Sequence, residues 1–120
     1  MKIEQAWALI ERQARAWEAA DIDVCLADFA PDALFMSPGG RWQGTAEIRQ
    51  TIETFFTGAS DVKVHVTRVM LAEDQGAVEW TWSETRFSDG CRHSAEDAII
   101  FQLRDDKIVY WREYFDTANF

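Results

Sequence analysis

The stretch Val78–Asp116, VEWTWSETRFSDGCRHSAEDAIIFQLRDDKIVYWREYFD, decides the fold. It reads as three consecutive strands joined by short turns. Asp89-Gly90 supplies the positive φ that both positions of a two-residue type I′ hairpin need. A turn there pairs Ser88 with Cys91 and, counting back, Arg86 with His93, Glu84 with Ala95, Trp82 with Asp97 and Trp80 with Ile99. A three-residue loop at Arg104-Asp105-Asp106 then pairs Leu103 with Lys107, Phe101 with Val109, Ile99 with Trp111, Asp97 with Glu113 and Ala95 with Phe115.

Side chains alternate across a sheet, so paired residues share a face. One face carries Trp80, Trp82, Glu84, Arg86, His93, Ala95, Asp97, Ile99, Phe101, Trp111, Glu113 and Phe115. It holds most of the large apolar residues and should meet the core. The other carries Glu79, Thr81, Ser83, Thr85, Ser94, Glu96, Arg112, Tyr114 and Asp116. On the apolar face the reading forms a row Trp82–Asp97–Glu113, with Glu84 diagonal to it. Opposed acids repel when both are ionised, and burial further disfavours their charged forms. Glu84, Arg86 and His93, near the hairpin end, serve equally well as a solvated rim.

A chain of 120 residues fits one domain, residues 1–120. Its apolar content of 48 % and aromatic content of 13 % can fill a core. Twelve basic residues against 21 acidic ones give a net charge of −9, with no basic run. That balance argues against nucleic acid and against an anionic membrane surface as partners. Two cysteines, Cys25 and Cys91, have no metal-site spacing and read as free thiols in a reducing compartment, hence a cytoplasmic location. The first residues open an amphipathic helix rather than a signal peptide, and no run approaches the ~18 apolar residues of a membrane span.

From the start of the chain, residues 2–20 show helical spacing, with Ile3, Ala6, Trp7, Ile10, Ala14 and Trp17 on one stripe. Asp21 and Asp23 offer caps for a short second helix running through Phe29 and ended by Pro31-Asp32. Ala33–Ser37 reads as a short strand, and Arg41–Gln43 as a small edge strand after Pro38-Gly39-Gly40. Thr45 caps a third helix, with Ile48, Ile52, Phe55 and Phe56 inward and Gly58 just past its end. Asp61–Leu71 alternates through Val62, Val64 and Val66 as a half-buried strand. The order predicts an α+β fold, with helices on one face of a curved, mostly antiparallel sheet.

This order resembles the nuclear transport factor 2-like superfamily, specifically its SnoaL-like branch. The residues that carry the resemblance are Trp17–Asp23 (WEAADID), Phe29–Phe35 (FAPDALF), Ser37-Pro38-Gly39-Gly40, Gly44, Ile48 and the ending Trp111–Asp116 (WREYFD). The resemblance spans essentially the whole chain. It implies a cystatin-like cone of curved sheet closed by three helices in the N-terminal half. It also implies a deep apolar pocket inside the cone and a dimer contact on the outer sheet face. The ending is similar to the WRDYFD of limonene-epoxide hydrolase relatives. By that similarity Glu113 and Glu84 stand at the two catalytic aspartate positions. The arginine position is Trp82, and the tyrosine and asparagine positions are Phe35 and Ser37. Ketosteroid isomerase relatives place their base before the proline, where Ser37 stands here, and their oxyanion donors at positions matching Gln13 and Ile99. The polarising groups of both chemistries are therefore missing. SnoaL-type cyclases use a single acid in an apolar cavity, for which Glu113 and Asp97 are the candidates.

Two functional readings follow. In one, Glu113, Asp97 and Glu84 perform general acid/base isomerisation, cyclisation or hydration of a small hydrophobic molecule. Its pocket would be lined by Trp17, Phe35, Ser37, Trp42, Trp80, Trp82, Arg86, His93, Ile99, Trp111 and Phe115. In the other, the same pocket holds a ligand without turnover in a dimeric accessory module. No cofactor motif is evident, and His93 with neighbouring acids does not assemble a metal site.

Overall fold

In the computed structural model, which describes residues 1–120, two helices lead into two strands, and a third helix precedes the last four strands. Helix α1 spans Ile3–Glu18, α2 spans Ile22–Ala27 and α3 spans Thr45–Gly58. The strands are β1 (Phe29–Ser37), β2 (Gly40–Gln43), β3 (Ala59–Ala72), β4 (Gln75–Arg86), β5 (Arg92–Arg104) and β6 (Lys107–Tyr114). They form one sheet in the order β2-β1-β6-β5-β4-β3. Only the β1–β6 pairing is parallel; the other four are antiparallel. Register shifts in β1–β6, β3–β4 and β5–β6 bend the sheet around the helices.

The buried stripe of α1 is centred further round the helix than its hydrophobic spacing predicts. Ala6, Leu9, Ile10, Gln13, Ala14, Ala16 and Trp17 are buried, while Ile3 is exposed. The rotation follows from Gln13, whose Nε2 donates to the Cys25 carbonyl at 2.8 Å and to Asp28 Oδ2 at 3.2 Å. Arg12 grips the same Asp28 through two hydrogen bonds of 2.8 and 3.0 Å. Sheet edge β3 is closed by α1 as well. Glu18 accepts from the Val64 N–H at 2.8 Å, and Arg15 donates to the Val64 carbonyl at 2.7 Å. Helix side chains thus satisfy backbone groups that an open edge would expose.

Helix α2 ends at Ala27, so Phe29 opens β1 rather than closing the helix. Pro31 and Asp32 lie inside β1, in the irregular segment between the Phe29–Ile108 and Leu34–Tyr110 pairs. A proline has no N–H to give a ladder and is tolerated where pairing is interrupted. Gly44, with φ +86°, occupies the N-cap of α3, so Thr45 is the first helical residue and not the cap. Gly58 remains helical and β3 begins at Ala59.

The first hairpin differs from the sequence reading by two residues, and the second by one at its turn and one more at a bulge. The turn after β4 is a four-residue loop, Phe87–Gly90, in which Gly90 N–H donates to the Arg86 carbonyl and Arg86 N–H to the Cys91 carbonyl. Only Gly90 has positive φ there; Asp89 instead accepts from the Cys91 N–H with its side chain. Trp80 therefore lies opposite Asp97, Trp82 opposite Ala95 and Glu84 opposite His93. The two-residue turn is the later one, where Asp105 and Asp106 both have positive φ and Arg104 pairs with Lys107. A bulge at Val109 then puts Trp111 opposite Phe101 and Glu113 opposite Ile99. The net slip of two keeps Trp111 and Glu113 on the inner face while changing their neighbours; before the bulge the slip of one turns Ile108 inward. Trp82–Asp97–Glu113 is consequently not a row; Asp97 and Glu113 are diagonal neighbours.

The core fills the space between the helices and the inner face. Trp80, Ile99, Phe101, Ile108 and Trp111 on the sheet meet Leu9, Ile10, Ile48 and Ile52 from α1 and α3, all at most 1 % exposed.

Candidate functional site

Between this inner face and the helices the packing opens into a cavity of about 310 Å³. Trp17 enters from α1, Thr51 and Phe55 from α3, Phe35 and Ser37 from β1, and Trp42 from β2. Trp82, Glu84 and Arg86 from β4, Ala95 and Asp97 from β5, and Glu113 from β6 form the sheet wall. Phe115 and Phe120, from the segment after β6, complete the lining; their rings stack edge to face with centroids 5.4 Å apart. The aromatic side is continuous: the Trp82 centroid lies 5.4 Å from Trp17 and 5.7 Å from Phe55, and Phe35 lies 6.0 Å from Trp42.

Three acids sit in this aromatic wall, each holding an indole N–H. Trp80 Nε1 donates to Asp97 Oδ2 at 3.2 Å, Trp82 Nε1 to Glu84 Oε1 at 2.8 Å, and Trp111 Nε1 to Glu113 Oε2 at 2.9 Å. Two of the pairs are formed within one strand at i, i+2, which is how a strand places consecutive same-face residues side by side. Glu84 also accepts from Arg86 Nε at 3.3 Å. The Arg86 guanidinium lies 4.4 Å from the Phe120 ring centroid and donates through Nη1 to the Phe120 carbonyl at 3.0 Å.

Asp97 is 5 % exposed, and its Oδ1 is buried without a donor. Burial raises its pKa far above the ordinary carboxylate range; the charge on Glu113 and a hydrogen bond with that residue act in the same direction. The Trp80 N–H and the Tyr114 backbone N–H oppose the shift without cancelling it. Burial beside a second carboxyl thus favours the protonated form of Asp97.

The structure places Glu84, Asp97, Glu113, Trp17, Phe35, Ser37, Trp42, Trp82, Arg86 and Phe115 on the cavity wall. Trp80, Ile99 and Trp111 lie outside that wall, no more than 1 % exposed in the core; the two indoles reach the site only through their N–H groups. His93 turns away to the hairpin, where Nε2 lies 2.7 Å from Asp89 Oδ2. Asp89 is held below its ordinary pKa by the Cys91 N–H and then by His93. Thr51, Phe55, Ala95 and Phe120 line the cavity without having been expected there. Phe55 was assigned to the core stripe of α3, and nothing in the periodicity separates core from cavity wall. The repeated Trp-x-Glu of Trp82–Glu84 and Trp111–Glu113 was a readable signal for the acid–indole pairs. Gln13 is buried in its network with Asp28, outside the cavity. No group of three or more His, Cys, Asp or Glu side chains is placed to hold a metal ion.

The SnoaL-like domain family model matches residues 10–111. No curated protein sequence matches the chain. Among solved structures, a protein with a ketosteroid isomerase-like fold from Catenulispora acidiphila, in complex with trimethylamine, superposes with a TM-score of 0.86 at 16 % identity. That match covers 92 % of this chain and 87 % of the other. An epoxide hydrolase of the limonene-epoxide hydrolase type from M. tuberculosis gives 0.82 at 20 % identity, covering 97 % and 86 %. A SnoaL-like polyketide cyclase described from Jannaschia gives 0.83 at 17 % identity, covering 96 % and 88 %. At such identities these likenesses establish a common fold and not a common activity.

Proposed function

The chain belongs to the SnoaL-like domain family, and from that premise we propose that its cavity receives a small, largely apolar molecule on which Asp97 and Glu113 act as a general acid/base pair. The observation that carries this reading is a buried carboxyl, Asp97, with one oxygen lacking a donor, on the same aromatic cavity wall as a second carboxyl, Glu113. A buried acid whose proton is retained at neutral pH can deliver it to a substrate, while its neighbour accepts one. Isomerisation, cyclisation and hydration are reactions that such a pair can promote. Glu84, neutralised by Arg86, shapes the field around them, and the aromatic residues orient the substrate by shape and burial.

A second reading, binding without turnover, draws support from the scarcity of donors that could polarise a substrate. Arg86, the one cationic side chain on the wall, is committed to Glu84 and Phe120. On either reading the protein is proposed to work in the cytoplasm as a homodimer joined through its outer sheet face.

Carboxyl titration by NMR tests the pair. The expected result is an Asp97 carboxyl that keeps its proton through neutral pH and titrates lower, though still raised by burial, in Glu113→Gln. Ordinary acid titration of both groups would overturn the acid/base reading. On a substrate found by screening, Glu113→Gln should lower kcat by about 100-fold or more while the fold persists. A variant that binds normally and turns over at the native rate removes Glu113 from catalysis.

A further inference from the structure

We propose that the molecule the cavity takes is a small apolar amine, bound as its ammonium ion with an N–H directed between Asp97 and Glu113. The proposal rests on reading the cavity as a ligand site and names the class of ligand.

The titratable side chains on the wall are Glu84 and Arg86 from β4, Asp97 from β5 and Glu113 from β6. The helices and β1 add only Trp17, Thr51, Phe55, Phe35 and Ser37, none of which carries charge. Arg86 is matched to Glu84, and its remaining capacity is spent on Phe120. No cation is left for Asp97 and Glu113.

Their hydrogen bonds are incomplete in the same place. The Trp80 indole serves Asp97 Oδ2 and the Trp111 indole serves Glu113 Oε2, yet buried Asp97 Oδ1 has no donor. The neighbouring group is itself a carboxyl. One positive centre therefore belongs between them. The proton that burial favours on Asp97 can fill that role. An ammonium N–H fills it better, because it supplies both the donor and a full charge, and it displaces the proton to solvent.

The surroundings suit the rest of such a molecule. Methylated or benzylic carbon next to a cationic nitrogen packs on aromatic rings and gains cation–π attraction when desolvated. Arg86 over Phe120 shows an aromatic ring of this wall already used in that way. A neutral hydrocarbon would gain burial but leave Oδ1 dependent on the proton. An anion would meet three carboxyl groups.

The test compares N,N-dimethylbenzylamine with isobutylbenzene, its uncharged carbon isostere, by tryptophan fluorescence at neutral pH. Calorimetry of the amine in buffers of different ionisation enthalpy counts released protons. The amine should bind at least 10-fold more tightly, with proton release. Asp97→Asn should keep the preference for the amine and lose the proton release. The double variant Asp97→Asn, Glu113→Gln should lose the preference itself. Equal affinity of both probes, or amine binding that the double variant does not weaken, overturns the amine assignment and leaves the cavity reading standing. Failure of both probes to bind the native protein overturns the cavity reading together with it.

Discussion

Asp97 makes folding itself sensitive to pH. Its folded-state carboxyl is raised above the ordinary value, chiefly by burial and then by Glu113. In the unfolded chain it ionises near pH ~4. Between those values folding takes up a proton. The contribution of Asp97 to stability is therefore complete below about pH 4 and is lost as pH climbs toward the raised folded value, by up to ~1.4 kcal/mol per pH unit. Asp97→Asn keeps the shape, lets the side-chain oxygen accept from Trp80 and removes the titration. Denaturant midpoints measured from mildly acidic to mildly alkaline pH should show the variant gaining on the native protein as pH rises. Parallel curves would show that Asp97 is ionised in the folded state. Which residues belong on this face was legible in the sequence, because strand alternation depends only on parity. Which acid meets which tryptophan was not. Trp80 opposite Asp97 depends on a loop that Asp89 lengthens by capping the Cys91 N–H.

At the scale of the element, the turns decide register and the glycines decide where strands close up. Asp105 and Asp106 both stand in the left-handed region, at φ 53° and 63°. That is the two-residue turn for which Asn-Gly is preferred. Replacing the pair by Asn-Gly should stabilise the protein by roughly 0.5–1 kcal/mol, seen as a higher thermal midpoint. An unchanged or lower midpoint would mean that the aspartates make contacts worth more than the relief of strain. Gly76 presents the opposite constraint. It lies opposite Phe101, and an added Cβ would come within 2.3 Å of the Met70 carbonyl oxygen and 2.5 Å of the Phe101 ring. Gly76→Ala should cost about 1–3 kcal/mol by overpacking. A stability loss near zero would show that β3 and β4 yield at this point. The strong turn signal at Asp89-Gly90 and the weak one at Asp105-Asp106 were read the wrong way round, since dipeptide preference does not report the side-chain hydrogen bonds that select a loop. Helix spans and strand order were far easier to read, because hydrophobic periods of 3.6 and 2 accumulate over many residues.

At the scale of the molecule, charge is distributed unevenly. The chain carries −9 overall, yet the outer face of β3 to β6 bears Lys63, Arg68, Arg92, Arg104, Lys107 and Arg112 against Asp61, Glu79 and Glu96. Several are already paired there: Arg68 with Glu79 at 3.2 Å, Lys63 with Asp61 at 3.6 Å and Arg92 with Asp61. A face without the acidic excess of the rest of the chain is where a second copy can approach with less repulsion than elsewhere. The same face exposes Met70 at 50 %, Ile100 at 44 % and Tyr114 at 46 %, apolar surface that isologous contact would bury. Sedimentation at micromolar concentration should therefore find a dimer, and Ile100→Glu with Met70→Glu should convert it to a monomer whose cavity still binds its ligand. The cavity opens on the opposite side of the sheet, so assembly and binding are expected to separate cleanly. A native protein that sediments as a monomer would remove the outer face from assembly. A double variant that stays dimeric would move the interface elsewhere, with exposed Phe87 on the β4–β5 loop the next surface to mutate.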